Sequence, residues 1–310
     1  MVVLVAGGSG LVGSAIATAF EQKGEEVVRA NRAMVDFKDL NATKSLLKRI
    51  KPDLVIDAAA KVGGIGANSS HPVEFLSDNL QIQCNLMQAA HEADVEKFIF
   101  LGSSCIYPRD CAQPIKEEYL MTGSLEATNS AYAIAKIVGI ELVNSYRKEH
   151  NHKWISLMPT NLYGPGDNFN LKNSHVLPAF IRRFSEAVEK RAPSVTLWGS
   201  GAPLREFLHV NDLAQAVVLT SQSYNSSLHL NVGSGEDLTI KELAVLIGSL
   251  SGFRGEIIWD SSKPDGTLRK TLDVSRIKAL GWKPTISLED GIASTIAWYK
   301  TASVKGEIRK

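Results

Sequence analysis

The chain has 310 residues, 34 Lys+Arg against 33 Asp+Glu and a formal charge of +1, a balance that excludes attraction to nucleic acid or an anionic membrane by bulk charge. Its 44% hydrophobic and 22% charged residues exclude intrinsic disorder and a collagen-like repeat, and the length predicts two domains. Three cysteines, Cys84, Cys105 and Cys111, form no Cys-x-x-Cys pair, so neither a disulfide framework nor a structural metal site is expected, and a reducing compartment is.

Residues 1–20 carry no charge, but they lack a basic leader and are interrupted by Gly7, Gly8, Gly10 and Gly13. They read as strand, glycine turn and helix rather than as a signal or membrane segment, which leaves the cytoplasm as the expected location. Short apolar runs at 2–6, 26–30, 53–58, 97–101 and 154–158 read as strands, alternating with helical patterns at 10–23, 42–50, 72–93 and 130–149. That alternation predicts an α/β fold: a Rossmann-type doubly wound parallel sheet covered on both faces. After Pro159 the pattern changes to loops rich in Pro, Gly and Asn, with shorter helices at 176–190, 211–223, 240–251 and 288–299. Thr239 with Glu242 fits a capping box, and Ser287 starts the last helix. The expected division is residues 1–165 as a dinucleotide-binding domain, with later segments returning to it, and 166–310 as a smaller, mainly substrate-binding α/β domain.

Gly7-Gly8-Ser9-Gly10-Leu11-Val12-Gly13 follows the first strand directly and opens the first helix. Its glycines serve a tight turn, close backbone approach to a pyrophosphate and close packing of helix on strand, and the helix N-terminus faces the anion. At the end of the second strand an acid would bind the ribose diol of NAD, and an arginine would accept the 2′-phosphate of NADP. The chain has Arg29-Ala30-Asn31-Arg32 there and no acid before Asp36. NADP is therefore expected, with Arg32 as the phosphate ligand, Arg29 in reserve, and Asp36-Phe37 bordering the adenine.

Tyr132 and Lys136 lie four residues apart on one face of the fourth helix. A neighbouring ammonium favours phenolate, so the tyrosine pKa is expected to fall toward the range useful for proton transfer to a carbonyl oxygen. Gly102-Ser103-Ser104 ends the fourth strand, at the sheet edge where doubly wound folds bind ligands. Cys105 lies two residues beyond Ser103, and in a still extended segment both side chains would project to one side.

The glycine fingerprint, the serine after strand four and the tyrosine-lysine pair together resemble the extended short-chain dehydrogenase/reductases. Residues 60–65 (Ala-Lys-Val-Gly-Gly-Ile), 102–108 (Gly-Ser-Ser-Cys-Ile-Tyr-Pro), 159–165 (Pro-Thr-Asn-Leu-Tyr-Gly-Pro), 173–176 (Asn-Ser-His-Val), 198–201, 205–209 and 262–267 are similar to the GDP-L-fucose synthase family within them, over essentially the whole chain. That resemblance implies C3/C5 epimerisation of GDP-4-keto-6-deoxy-D-mannose, then reduction of its C4 ketone with NADPH. It implies Tyr132 as proton donor, Ser103 on the same oxygen, Lys136 beside the tyrosine and on the nicotinamide ribose, and Cys105 with His175 as the epimerising pair. It implies cofactor contacts from Leu11, Val12, Gly102, Ser104, Pro159, Thr160, Asn161, Leu162 and His175. For the sugar nucleotide it implies Asn161, Arg183, Trp198, Arg205 and Asp265, with Arg269 a further candidate. A homodimer through the helices at 72–93 and 130–149 is also implied. The alternatives are another NAD(P)-dependent nucleotide-sugar epimerase or reductase, and a cofactor-binding regulator without turnover.

Overall fold

The apolar runs of the first half become Val2–Ala6 (β1), Glu26–Ala30 (β2), Leu54–Asp57 (β3), Lys97–Leu101 (β4) and Ile155–Pro159 (β5) in a computed structural model. It describes residues 1–308 apart from 172 and 264, so Pro264 of the 262–267 motif lies outside the described residues. The following strands are Asn161–Tyr163 (β6), Ser194–Trp198 (β7), Leu204–His209 (β8), Leu230–Val232 (β9), Asp237–Thr239 (β10), Glu256–Asp260 (β11) and Arg269–Lys270 (β12). The helices are Leu11–Gln22 (α1), Leu40–Ile50 (α2), Ile65–Ser70 (α3), Pro72–Glu92 (α4), Ser130–His150 (α5), Val176–Glu189 (α6), Val210–Ser223 (α7), Ile240–Ser251 (α8), Ser275–Ala279 (α9) and Leu288–Lys305 (α10).

The main sheet runs β2-β1-β3-β4-β5-β9 with every pair parallel. β3 and β5 are buried along their full length, as strands covered on both faces must be. α1 packs on α7, α4 packs on α2 and α5, and both α5 and α7 reach β4, so helices cover the sheet from two sides. Order reverses between β1 and β3, which opens a crevice at the carboxyl ends of those strands.

The chain returns to this sheet late: α7 lies on α1, and β9 pairs with β5. A second apolar cluster forms where α6, α8 and α10 pack together around Phe169, Ile181, Phe184, Leu243 and Ile247. Beside it, β8 pairs with β10, β12 and β6, and β7 pairs with β11. The capping box at α8 is formed by Thr239 and Glu242, and Ser287 accepts from the Asp290 amide at the start of α10. Among the described residues no helix is long and apolar enough to cross a membrane.

α5 lies close to the sheet because Gly139 faces the Phe100 ring of β4; a Cβ at that position would enter the ring's van der Waals surface. Gly139→Ala should therefore destabilise the fold by about 1–3 kcal/mol through overpacking, against the ~1 kcal/mol that alanine gains over glycine in a helix. A denaturant midpoint equal to or above wild type would show that α5 is not seated so tightly.

Candidate active site

β1 stops at Ala6 and the chain turns at Gly7, whose φ of +76° and 2.7 Å clearance between a Cβ and the Ala58 carbonyl oxygen admit no side chain. Gly8 lies against the Arg29 backbone, and its amide donates to the Ala30 carbonyl at 2.9 Å. A Cβ on Gly13 would strike the Gly7 carbonyl, whereas one on Gly10 would meet only the Gly7 oxygen, at 3.2 Å. Gly13 thus seats α1 on the turn, while Gly10 leaves the mouth of the helix open. Gly10 caps α1 without a side chain, and the first turn carries no acid, so the amides of Leu11, Val12 and Gly13 remain for an anion. Ser9 is exposed at the tip.

At the end of β2 the two arginines part company. Arg29 donates to Glu21 Oε1 at 2.9 Å and Oε2 at 2.6 Å, and to Thr18 Oγ1 at 2.9 Å. That removes the reserve ligand. Arg32 is exposed and, among the described residues, has no hydrogen-bond or ion-pair partner. Asp36 is exposed, accepting the Lys38 amide, but Phe37 turns its ring into the core, so only its backbone remains at the rim.

Of the residues expected to be catalytic, all but His175 lie on the turn after β4 or on α5. Lys136 is 3% exposed; its Nζ donates to the Leu101 carbonyl at 2.8 Å and lies 4.8 Å from the Phe100 ring centre and 5.8 Å from that of Tyr132. Burial pulls the ammonium pKa down, opposed by the charges of Asp57 and Cys105. Tyr132 is held edge-on by Phe75 at 6.3 Å. Its pKa does not fall as the Lys136 spacing suggested: burial pushes it up, and Cys105 and Asp57 add to the rise. Desolvation outweighs the neighbouring cation, so the phenol holds its proton.

Ser103 is extended, with φ −161°, and its Oγ accepts the Cys105 amide at 3.4 Å, opening a 3₁₀ turn over Ser104–Ile106. The segment is therefore not extended through Cys105, so the same-side argument for an extended run does not apply; in the turn Cys105 is buried at 6% exposure. Burial raises the thiol pKa, while Lys270, Ser103 and Lys136 act to lower it. Lys270 was not singled out from sequence. It comes from β12, in register with Arg205 on β8, and lines a small pocket with Cys105, Glu126 and Thr267. No local motif marks it; only the long-range pairing does. Ser104 is buried, and the Gly102 amide donates to Leu157 at 2.9 Å.

His175 is the N-cap residue of α6. The residue is exposed, yet desolvation of its imidazole lowers the pKa. Its neighbours are tied to the 60–65 motif: the Gly64 amide donates to the Asn173 carbonyl at 3.0 Å. No hydrogen bond joins His175 to Ser103, Cys105 or Tyr132 among the described residues. At the β5 end, Pro159 is buried, the Thr160 amide donates to Val232 at 3.0 Å, Asn161 Nδ2 donates to the Glu206 carbonyl at 2.8 Å, and Leu162 is half-buried.

On the far wall, Trp198 is 65% exposed with Lys263 Nζ 5.8 Å from its ring centre, so it is no core aromatic. Asp265 accepts from the Ser200 amide at 2.9 Å and hydroxyl at 2.6 Å. Arg205 Nη1 donates to the Leu204 carbonyl at 2.7 Å, and its guanidinium passes close to Gly266. Arg183 is half-buried on α6 with no partner among the described residues, whereas Arg269 is bound to Asp237 at 2.6 Å. Ordered this way, the chain offers a helix N-terminus with no side-chain cap and no acid in its first turn, a proton-holding phenol beside a buried ammonium, a thiol near two lysines, and exposed or half-buried arginine and tryptophan on the far wall.

Residues 3–233 match the NAD dependent epimerase/dehydratase family. The chain is 51% identical to GDP-L-fucose synthase 1 of Arabidopsis thaliana over 96% of this chain and 92% of that protein, and 48% identical to GDP-L-fucose synthase of Escherichia coli K12 over 96% of each. A solved GDP-L-fucose synthetase from Naegleria fowleri, bound to NADP, superposes with a TM-score of 0.92 at 30% identity, covering 100% of this chain and 96% of that one. The chain belongs to the NAD-dependent epimerase/dehydratase family and, within it, to the GDP-L-fucose synthases.

Proposed function

We propose that the chain converts GDP-4-keto-6-deoxy-D-mannose to GDP-L-fucose, epimerising C3 and C5 and then reducing the C4 ketone with NADPH. The observation that carries this reading is Cys105, buried beside Ser103 and electrostatically linked to Lys136. A plain ketone reductase has no use for a third acid-base group there. The open N-terminus of α1 and the unpartnered Arg32 suit a dinucleotide with a 2′-phosphate, and bound NADPH supplies the hydride for C4.

The residues divide the proton work. Protons α to the C4 carbonyl leave from one face and return on the other, and Cys105 Sγ and His175 are the groups proposed to carry them. Lys270 beside Cys105 favours the thiolate needed for abstraction. Tyr132 Oη then gives its proton to the C4 oxygen, Ser103 Oγ hydrogen-bonds that oxygen, and the Lys136 ammonium stabilises the phenolate left behind. Arg183 and Arg205 take the diphosphate, Trp198 stacks on guanine, and Asp265 and Asn161 complete the sugar-nucleotide side. In this reading residues 1–165, with the segments that return to them, hold the cofactor, and 166–310 mainly hold the substrate. The three free thiols suit a reducing compartment, the cytoplasm.

Incubation with the keto sugar and NADPH should yield GDP-fucose; no NADPH oxidation above background overturns the assignment. Tyr132→Phe should lower reduction by ~10²–10⁴ and spare solvent isotope exchange at C3 and C5, whereas Cys105→Ser should lower exchange by a like factor. Equal losses of both in both variants would refute the division of roles. Arg32→Ala should weaken NADPH binding by about 1.5–3 kcal/mol and leave NADH unchanged, read by cofactor fluorescence titration; parallel losses would remove Arg32 from the 2′-phosphate. The proposed homodimer pairs α4 and α5 across a two-fold axis, where Ile134 and Val138 stay exposed. Sedimentation equilibrium at micromolar concentration should give twice the chain mass, and a monomer would reject it.

A further inference from the structure

One buried charge beside the reacting groups has no part in the chemistry above. Asp57 ends β3 and is 1% exposed. Its Oδ1 accepts the Ala59 amide at 3.2 Å, and its Oδ2 is buried with no hydrogen-bond partner among the described residues. An unpaired buried carboxylate is costly, so a counter-charge is expected nearby. Residues in register across a parallel sheet point to the same face. Asp57 is in register with Phe100, and Phe100 is the ring beneath the Lys136 ammonium. Carboxylate and ammonium thus share one face of the sheet, on neighbouring strands, in a place closed to water.

The groups facing this pair are few: Tyr132 on α5 itself, and Cys105 from the turn after β4, with Lys270 of β12 also near Cys105. α4 contributes Phe75, which is not titratable. The direct hydrogen bond of Lys136 goes to a neutral carbonyl, and Cys105 can answer the Lys136 charge only as a thiolate, the form that burial disfavours. That leaves Asp57 as the standing negative charge.

We propose that Asp57 is a positioning residue for the reduction step, its carboxylate keeping Lys136 an ammonium in the floor of the cleft so that the phenolate left by Tyr132 meets a cation. The inference rests on the roles proposed above for Tyr132 and Lys136. Asp57 neither gives nor takes a proton in turnover. Its ionised form raises the pKa of both Lys136 and Tyr132, so removing the charge lowers both, and the two effects move the alkaline limb of the reaction the same way, to lower pH. Burial raises the Asp57 carboxyl itself to about 6 even with Lys136 opposing, so the stabilising charge is present above that value and lost below it.

The test is Asp57→Asn, isosteric and uncharged. Lys136 Nζ is followed by NMR in protein carrying ¹⁵N-labelled lysine without substrate, and kcat for NADPH oxidation is measured against pH. Both the Lys136 titration and the alkaline limb should move down by about one pH unit, about a tenfold lower rate beyond the limb. A Lys136 titration unchanged by Asp57→Asn, or a limb that stays in place whatever the amplitude, overturns the proposal. Should Asp57→Asn not fold, the Asp57 ¹³Cγ shift in wild type and in Lys136→Met decides: the carboxyl should titrate near 6 in the first and higher in the second, and equal values overturn the proposal. The NMR measurements need no turnover. A wild type that fails to oxidise NADPH would thus count against the reductase reading and not against this pairing.

Discussion

Glu206 holds the two halves of the molecule together. It lies in β8 with no solvent exposure, and its carboxylate accepts the Gly235 amide at 2.7 Å, the Ser234 hydroxyl at 3.4 Å and the Leu272 amide at 2.9 Å. Its own carbonyl accepts Asn161 Nδ2 at 2.8 Å and the Thr160 hydroxyl at 3.4 Å. One residue therefore joins the end of β5, the turn before β10 and the stretch after β12. Burial raises its pKa while the amide donors oppose the rise, and those donors offset the desolvation of a charge that would otherwise be costly. The consequence is functional geometry. β8 in register with β12 sets Arg205 beside Lys270, and Lys270 lies with Cys105, just past the end of β4, in the lining of one small pocket.

Around that junction the cleft floor is built from charges that answer one another. Asp57 and Cys105 support the charge of Lys136; Lys136 and Lys270 favour the thiolate of Cys105; Asp265 and Glu126 support Arg205. In each case burial is the larger effect and acts against the charged form. The pairs are consequently sensitive to one another, and their protonation is a property of the set rather than of any one residue. A site that must take protons off carbon and later give one to oxygen benefits from such coupling, because moving one proton prepares the next group.

What the sequence disclosed follows from the range of the interactions concerned. The strands at 2–6, 26–30 and 97–101 and the helix at 240–251 fall where the apolar periodicity places them, because period and capping are local. The helix start at Thr239 was legible for the same reason. β6, β10 and β12 are two or three residues long and exist only through their pairing with β8, which no local pattern announces. α3 is a single short helix anchored by Asn68 Nδ2 on the Gly63 and Gly64 carbonyls. Tyr132, Lys136 and Ser103 are candidates that sequence alone can raise, because their spacing and strand-end position are local facts. Lys270 reaches Cys105 from a segment far along the chain, and Asp57 closes an apolar strand where nothing nearby in sequence hints at a buried ammonium. The tyrosine pKa was misjudged because spacing reports a neighbour's charge and says nothing of the water it has lost.

The same distinction resolves how a chain of nearly zero net charge binds two anionic nucleotides in the proposed reaction. Arg29 is tied to Glu21, Arg269 to Asp237, and Arg276 to Glu117 and Glu118. On α6 the contrast falls between adjacent residues: Arg182 is bound one turn along to Glu186 and to the Phe169 carbonyl, while Arg183 next to it has no partner among the described residues. Arg32 stands in the same relation to Arg29. Ion pairing thus removes most of these guanidinium groups from competition for phosphate and leaves unengaged those on the proposed cofactor and substrate walls. A guanidinium already bound bidentately to a carboxylate would have to break that pair to take a phosphate. Specificity for an anion therefore comes from which arginines lack an acid, and overall charge balance follows from how many do not.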